Sequence, residues 1–223
     1  NNEHGKCFFI KRIGERIMKV LFIGGTGNIS VSASNLAVAK GIDLYLVNRG
    51  QQQVGIEGAQ SLVADITQPE QVRIALADHQ FDVVVNWIAY VEEDIERDLD
   101  LFRGRCGQYI FISSASAYQK PLTHPIITES TPMANPYWQY SRDKISCENR
   151  LMRAYREEGF PITIVRPSHT YDSRFPIAVG NWASYVIPQR MLAGKPIVVH
   201  GDGTSLWTLT HADDFAKGFV GLL

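Results

Sequence analysis

The sequence lacks the features of a disulfide scaffold, a zinc protein or a membrane protein. Its 223 residues include three cysteines, which are too few and too scattered for a disulfide framework or a structural zinc site. The longest apolar runs, such as residues 83–85 and 162–165, are far shorter than the about 20 residues that span a bilayer. We therefore expect a chain of a reducing, cytoplasmic setting, with no metal site and no membrane partner.

The sequence also lacks an excess of charge of either sign. Lys and Arg number 22 and Asp and Glu number 23, which gives a formal net charge of −1. Such a chain has no global attraction for nucleic acid, so a nucleic-acid partner is not expected. The composition, with 45% hydrophobic and 20% charged residues, is that of a globular protein.

The two ends of the chain differ from the rest. Residues 1–17 have no clear period and no signal-peptide pattern, and Met18 directly precedes a strong strand pattern. We interpret them as a leader or vector-derived segment, the alternative being an arm that packs on the domain. At the other end, the chain stops at Leu223 inside an apolar helix-like run, which predicts a truncated C-terminal region.

Short β-branched runs alternate with helical patterns from Met18 onward. The predicted strands are 20–23, 44–47, 61–63, 81–85, 109–112 and 162–165, and the predicted helices are 32–40, 69–77, 92–102 and 140–158. This order predicts an α/β fold with a Rossmann-type doubly wound parallel sheet over residues 18–166. Residues 167–223 contain more Pro, Gly and aromatic residues and are expected to form a small, partial substrate-binding lobe at the strand ends.

A glycine-rich turn joins the first predicted strand to the first predicted helix. Gly24, Gly27 and Ser30 fill the three slots of a G-x-x-G-x-x-G pattern. The first slot allows a tight turn, the second a close approach to a pyrophosphate at the helix N-terminus, and the third close helix–strand packing. The strand–turn–helix context predicts a dinucleotide site. The expected cofactor contacts in this turn are Gly24, Thr26, Gly27, Asn28 and Ile29.

The second predicted strand ends where the adenosine ribose of a dinucleotide would lie. Asn48 stands 24 positions after Gly24, where NAD-selective proteins place an acid on the ribose 2′-hydroxyl. Asn48 cannot repel a 2′-phosphate and Arg49 can bind one, so we predict NADP, with NAD as the alternative. Arg49 could equally be a solvated loop residue.

Two further segments follow predicted strands at the same edge of the sheet. Asp65 and Ile66 are expected to contact the adenine, the alternative for Asp65 being a helix N-cap. Trp87, Ile88 and Ala89 are expected to line the cofactor, the alternative being core packing by Trp87 and Ile88.

A candidate catalytic set follows in the second half of the chain. Tyr140 and Lys144 lie four residues apart, on one face of a predicted helix. A nearby Lys favours the phenolate, so we expect a lowered pKa of Tyr140 that suits a general acid/base. Ser114, at the end of the fifth predicted strand, can hydrogen-bond the same reacting oxygen.

These motifs, in this order, resemble those of the extended short-chain dehydrogenase/reductase family, in its NAD(P)-dependent epimerase/dehydratase group, of which the chain looks like an atypical member. The resemblance rests on residues 24–30, Asp65, Ile66, Ser114, Tyr140, Lys144, Arg166, Pro167, 201–203 and 211–214. It implies hydride transfer at nicotinamide, Tyr140 as acid/base, Lys144 as its partner and Ser114 as the group that positions the substrate. It also implies that Pro167 contacts the cofactor and that the residues after it bind the substrate. Helix 140–158 often builds a homodimer in this family, although packing within one chain explains its apolar face equally well.

Two departures from the family pattern narrow the expected reaction. Ala115 and Ser116 stand where dehydratases of the family carry an Asp-Glu pair, which disfavours elimination of water. Trp207 stands where nucleotide-sugar enzymes of the family often carry a diphosphate-binding Arg; it could stack on a ring or lie in the core. We therefore expect an NADP-dependent epimerase or reductase that acts on a sugar-like or other small carbonyl or hydroxyl compound.

A non-catalytic protein on the same fold is the alternative. The Gly-Gly-Thr turn, the segment 48–50 and the run 86–89 are similar to those of atypical relatives that include chloroplast stem-loop RNA-binding proteins. The near-neutral charge and the retained Ser114, Tyr140 and Lys144 favour the enzyme.

Overall fold

The computed structural model describes residues 16–50, 55–77, 79–173, 184–203 and 207–223. Its centre is a six-stranded sheet built of β1 Lys19–Ile23, β2 Asp43–Asn48, β3 Gln60–Val63, β4 Phe81–Asn86, β5 Cys106–Ile112 and β6 Ile162–Val165. The strands lie in the order β3-β2-β1-β4-β5-β6, and every neighbouring pair is parallel. This is the order of a dinucleotide-binding Rossmann sheet, and it confirms the predicted fold class.

Helices cover both faces of the sheet, because the strands are apolar on both sides. Leu21 and Ile23 of β1 belong to one hydrophobic core and Val20 and Phe22 to another. The helices are α1 Ser30–Ala39, α2 Pro69–Ala75, α3 Glu92–Phe102, α4 Gln139–Glu158, α5 Val186–Leu192 and α6 Ala212–Val220. The first core receives α2, α3 and α4, and the second receives α1 and α6.

The predicted bounds are confirmed for α3 and β6 and differ by a few residues elsewhere. β5 begins three residues before the predicted strand, because Cys106 and Gln108 pair with β4 although they carry no clear apolar signal. α1 begins at Ser30 rather than at residue 32; the Ser30 hydroxyl accepts the backbone N–H of Gly27 at 2.8 Å.

The region after β6 is only partly a separate lobe. A parallel strand pair, β7 His169–Tyr171 and β8 Leu209–His211, follows the sheet. α6 then returns to the sheet, where Ala216 and Phe219 pack in the core beside α1. The predicted boundary at residue 166 thus assigns α6 to the substrate-binding lobe, although α6 packs with α1 on one face of the central sheet. The predicted leader lies outside the described residues except for its last two.

In the described part of the chain, the helices are too short or too polar to cross a membrane.

Candidate active site

The glycine-rich turn and the segment after β4 are in direct contact. Gly24 adopts a φ of +94° and donates its N–H to the carbonyl of Val47 at 3.1 Å. A Cβ at this position would lie 3.2 Å from the Ile88 side chain and 3.3 Å from that of Trp87. The contact lies between β1 and β4, the switch point of the sheet, where parallel sheets of this kind bind their ligands.

Gly25, which sequence analysis did not single out, is as constrained as Gly24. Its φ is +93°, and a Cβ there would lie 2.8 Å from Cδ2 of Leu46. The adjacent pair of glycines was the available signal. The first turn of α1, which follows, carries no acidic residue, so its N-terminus suits a pyrophosphate.

The predicted ribose end of the site is exposed and held by local hydrogen bonds. The Asn48 side-chain oxygen accepts the N–H of Gly50 at 2.9 Å, and Arg49 is exposed. Asp65 accepts the N–H and the hydroxyl of Thr67 at 3.0 and 2.8 Å; these bonds, with the charge of Arg49, lower the pKa of Asp65. The alternative role of Asp65 as a helix cap is wrong, since α2 begins only at Pro69. The neighbouring Ile66 is buried.

Trp87 does not line the edge of the sheet with its side chain. Its ring lies 5.4 Å from the ring of Phe22 and 4.7 Å from that of Phe219, centroid to centroid. The Trp87 ring therefore packs in the core, as the alternative had it, whereas a cofactor contact of this residue stays a prediction. Ile88, by contrast, is exposed, and Ala89 is buried with its carbonyl in a hydrogen bond to Lys144.

A buried carboxylate that the sequence pattern did not predict supports this segment. The side-chain oxygen of Asn86 accepts the N–H of Ile88 at 2.8 Å, and its amide donates to Asp98. Asp98 also accepts the hydroxyl of Tyr109 at 2.6 Å, and Arg97 pairs with it. Burial raises the pKa of Asp98 despite these partners. Asp98 showed no distinguishing signal, because it is one of six acidic residues in α3.

The three predicted catalytic residues come together where β5 ends and α4 begins. Lys144 is 2% exposed, and its ammonium donates to the carbonyls of Ala89 and Ile112 at 2.6 and 2.7 Å. It lies 5.6 Å from the ring centroid of Tyr140. Tyr140 in turn is hydrogen-bonded to the side chain of Ser114. The structure thus brings together a phenol, a hydroxyl and a buried ammonium.

The pKa values of this set differ from the expectation. Burial raises the pKa of Tyr140, while the hydrogen bond from Ser114 lowers it. The predicted lowering by Lys144 is wrong for this structure, because the ammonium is directed at two carbonyls rather than at the phenol. Burial lowers the pKa of Lys144 to about 8.

Pro167 and Asn28 connect the sheet to the region that follows it. The carbonyl of Pro167 accepts the N–H of Ala115 at 2.9 Å, which places Pro167 beside the Ser114 turn. The Asn28 amide lies 3.5 Å from the carbonyl of Thr170 in β7. Farther along, Trp207 is 52% exposed and lies 4.4 Å from the ring of His169, centroid to centroid, so it is not a core residue. Across the described ranges, there is no group of three or more His, Cys, Asp or Glu side chains that could hold a metal ion.

Comparison with known proteins agrees with this fold. The model of the NAD dependent epimerase/dehydratase family matches residues 20–223. The chain belongs to this family. Members with known structures share its fold: dTDP-glucose 4,6-dehydratase from Bacillus anthracis, in complex with NAD, aligns with a TM-score of 0.74 at 18% identity over 92% of this chain and 71% of that one. UDP-glucose 4-epimerase from Bifidobacterium longum, in complex with NAD+ and UDP, aligns with a TM-score of 0.71 at 19% identity over 92% and 73%.

Two curated relatives of this epimerase/dehydratase chain have different functions. The 2'-dehydrokanamycin reductase of Streptomyces kanamyceticus is 26% identical over 94% of this chain and 59% of its own length. The chloroplast stem-loop binding protein of 41 kDa b of Arabidopsis thaliana is 27% identical over 92% and 55%. The chain therefore spans somewhat more than half the length of each.

Proposed function

We propose that this chain is the cofactor-binding part of an NADP-dependent epimerase or reductase that acts on a sugar-like or other small carbonyl or hydroxyl compound. The observation that carries the proposal is the assembly of Ser114, Tyr140 and Lys144. Lys144 bonds the carbonyl of Ala89, and the preceding Ile88 contacts the glycine-rich turn. A protein that only binds does not need a buried ammonium under a phenol.

The residues present fit a dinucleotide. The turn is closed to side chains at Gly24 and Gly25, and α1 begins there without an acidic residue. A bound nicotinamide would accept or supply the hydride at the substrate carbon. Two of the three N–H donors of Lys144 are used by carbonyls, which leaves one for a ribose hydroxyl or for the Tyr140 oxygen.

Tyr140 would move the proton at the reacting oxygen. In reduction the phenol donates its proton to that oxygen, and in oxidation the phenolate accepts it. Ser114, hydrogen-bonded to Tyr140, would hold the same oxygen in place. With Ala115 and Ser116 after it instead of acids, the chain carries no acid at these two positions to eliminate water.

The preference for NADP rests on Arg49. It is exposed at the end of β2, beside an uncharged Asn48 that Gly50 and Ser61 hold in place. A guanidinium at this position can bind a 2′-phosphate, and Asn48 does not repel it. The dehydratase and the epimerase named above were solved with NAD, so the preference is particular to these residues of this chain.

Fluorescence titration of the purified chain with NADPH and NADH tests the proposal. We expect NADPH to bind more tightly, and Arg49→Ser to weaken NADPH binding about tenfold while leaving NADH binding unchanged. Arg156→Ser, at an exposed position on α4, is the matched control. Tighter binding of NADH would overturn the choice of cofactor, and binding of neither would overturn the proposal of an oxidoreductase.

The similarity to the stem-loop binding protein favours RNA binding as a second candidate function. A net charge of −1 opposes it, since phosphate contacts dominate such affinity. Salt-dependent binding of a structured RNA near physiological ionic strength, without binding of NADPH, would favour this candidate. A homodimer through α4 and a cytoplasmic location stay predictions.

A further inference from the structure

Three successive turns of α4 each contact one of the residues 112–114 at the end of β5. Tyr140 bonds the side chain of Ser114, Lys144 donates to the carbonyl of Ile112, and Glu148 accepts the hydroxyl of Ser113. The spacing of four residues places all three side chains on one face of the helix. The strand end that carries Ser114 is thus fastened at three consecutive residues.

Glu148 is the part of this arrangement that touches no reacting group. It is fully buried, and both of its carboxylate oxygens accept hydrogen bonds. Arg166, at the end of β6, donates its Nε at 2.9 and 3.1 Å and its Nη2 at 2.6 Å to them. The Nη1 of Arg166 donates to the hydroxyl of Tyr118 at 3.0 Å. One carboxylate therefore joins α4 to the ends of two strands.

We propose that Glu148 is a positioning residue of the candidate active site, which holds Ser113, and with it Ser114, in register with Tyr140 and supplies negative charge to the buried Lys144. This inference rests on the proposed function, because it assigns Glu148 to the same site. It adds a residue to which neither the sequence motif nor the family description gives a role.

The surroundings of Lys144 explain why this charge matters. The charged or titratable groups around Lys144 are Asp94 from α3 and Tyr140, Cys147 and Glu148 from α4, and the rings of Tyr90 and Phe111 cover its ammonium at 4.8 and 4.7 Å. Burial raises the pKa of the Cys147 thiol to about 12, so this group is neutral at pH 7.

The carboxylates are consequently the charges that oppose desolvation of the ammonium. Burial lowers the pKa of Lys144 to about 8, whereas Asp94 and Glu148 raise it. Removing the charge of Glu148 therefore brings the ammonium closer to losing its proton at pH 7.

The test is a pH titration of Lys144 by NMR of chain labelled with ¹³C at the lysine ε-carbon, with Lys144→Met to assign the signal. The pKa of Lys144 is expected near 8 in the parent chain. We expect Glu148→Gln to lower it by roughly half to one pH unit, because a nearby negative charge is lost. The charge-matched control is Glu157→Gln, at an exposed residue of the same helix, which should leave the pKa unchanged.

If Glu148 had only a structural role, Glu148→Gln would shift the pKa of Lys144 in the opposite direction. If Glu148→Gln only loosens the site, water reaches Lys144 and its pKa rises toward the ordinary 10.5. A rise or an unchanged value overturns the proposal. Glu148→Asp, which keeps the charge, should return the pKa toward the parent value, and failure to do so also overturns it.

Two additions keep the test decisive. Should Glu148→Gln fail to fold, the pair Glu148→Gln with Arg166→Met leaves no unpaired buried charge. The pKa of Lys144 in this pair is expected to be lower than in Arg166→Met alone, because the two differ only by the charge of Glu148. The titration uses no cofactor, so failure to bind NADPH in the separate titration would overturn the proposed function without affecting this result.

Discussion

The two ends of the candidate cofactor site are built in different ways. At the ribose end, Asn48 and Asp65 are each bonded to a residue two positions away, Asn48 also to Ser61 of the neighbouring strand, and Arg49 is exposed. At the chemical end, Lys144 and Glu148 are 2% and 0% exposed and bond to residues 18 to 55 positions away. The ribose end is a surface feature of the fold, whereas the chemical end is part of its buried core.

This difference decides what a substitution at each end reports. An exposed side chain with local partners can be replaced at little cost in stability. Removal of one member of a buried, hydrogen-bonded charge network leaves its partners unpaired, which is costly. Changes at the ribose end therefore measure recognition directly, whereas changes at the chemical end measure recognition and folding together.

The largest effect is expected for a substitution at the chemical end that removes a reacting group without disturbing the packing around it. Tyr140→Phe removes one hydroxyl and keeps the ring packed against Trp138 and Tyr90. Turnover of a carbonyl substrate should fall about 10²- to 10⁴-fold, because the proton donor is lost. The dissociation constant of NADPH and the melting temperature should hardly change. NADPH oxidation followed by absorbance measures the turnover.

The control for Tyr140→Phe is Tyr137→Phe, at a nearby residue that is 76% exposed. It should leave turnover unchanged. Equal turnover in the Tyr140→Phe variant and in the parent would remove Tyr140 from the chemistry. Equal losses in both variants would mean that the aromatic segment, rather than its phenol, matters.

The next effect concerns stability and pH at the chemical end. The pKa of Lys144 is about 8 in the folded chain and 10.5 ordinarily, so the folded state binds this proton more weakly than the unfolded state does. The resulting penalty is fully present below pH 8 and disappears above pH 10.5. Relative to Lys144→Met, the parent should gain roughly 3 kcal/mol of unfolding free energy as the pH rises from 8 to 10.5.

Urea unfolding across this pH range measures the effect, and Lys217→Met is the control. Lys217 is exposed on α6 and pairs with Asp214, which raises its pKa instead. Its replacement should give no comparable gain over the same range. A parent and a Lys144→Met chain with parallel pH profiles would show that Lys144 is more hydrated than its burial implies.

The same contrast explains which parts of the site the sequence predicts. The glycine-rich turn, the end of β2 and the Tyr140–Lys144 pair are local patterns, which residue spacing and the neighbouring strand and helix patterns predict. Glu148 and Asp98 were missed, because each looks like a solvated acid on its helix and its partners lie on other elements. The raised pKa of Tyr140 was missed for the same reason: it depends on burial, which spacing does not reveal.

The smallest effect is the difference expected between two glycines, one of which lies in the glycine-rich turn, a part of the cofactor end that contacts the core. Gly25 and Gly41 both have a positive φ, +93° and +81°. A Cβ on Gly25 would lie 2.8 Å from Leu46, whereas a Cβ on Gly41 would have no neighbour within 4 Å. Gly41→Ala should cost about 1 kcal/mol of unfolding free energy through backbone strain. Gly25→Ala should cost about 1–3 kcal/mol more, because Leu46 must move in a packed core.

Urea unfolding of the two glycine variants measures this difference, and titration with NADPH shows whether it reaches the cofactor. We expect Gly25→Ala to weaken NADPH binding and Gly41→Ala to leave it unchanged, since only the first glycine lies in the turn between β1 and α1. Equal costs in the two variants would mean that Leu46 yields freely. The glycine-rich turn would then behave like the exposed ribose end, where substitutions cost little stability. Lys144, rather than Gly25, would mark where the buried part of the site begins.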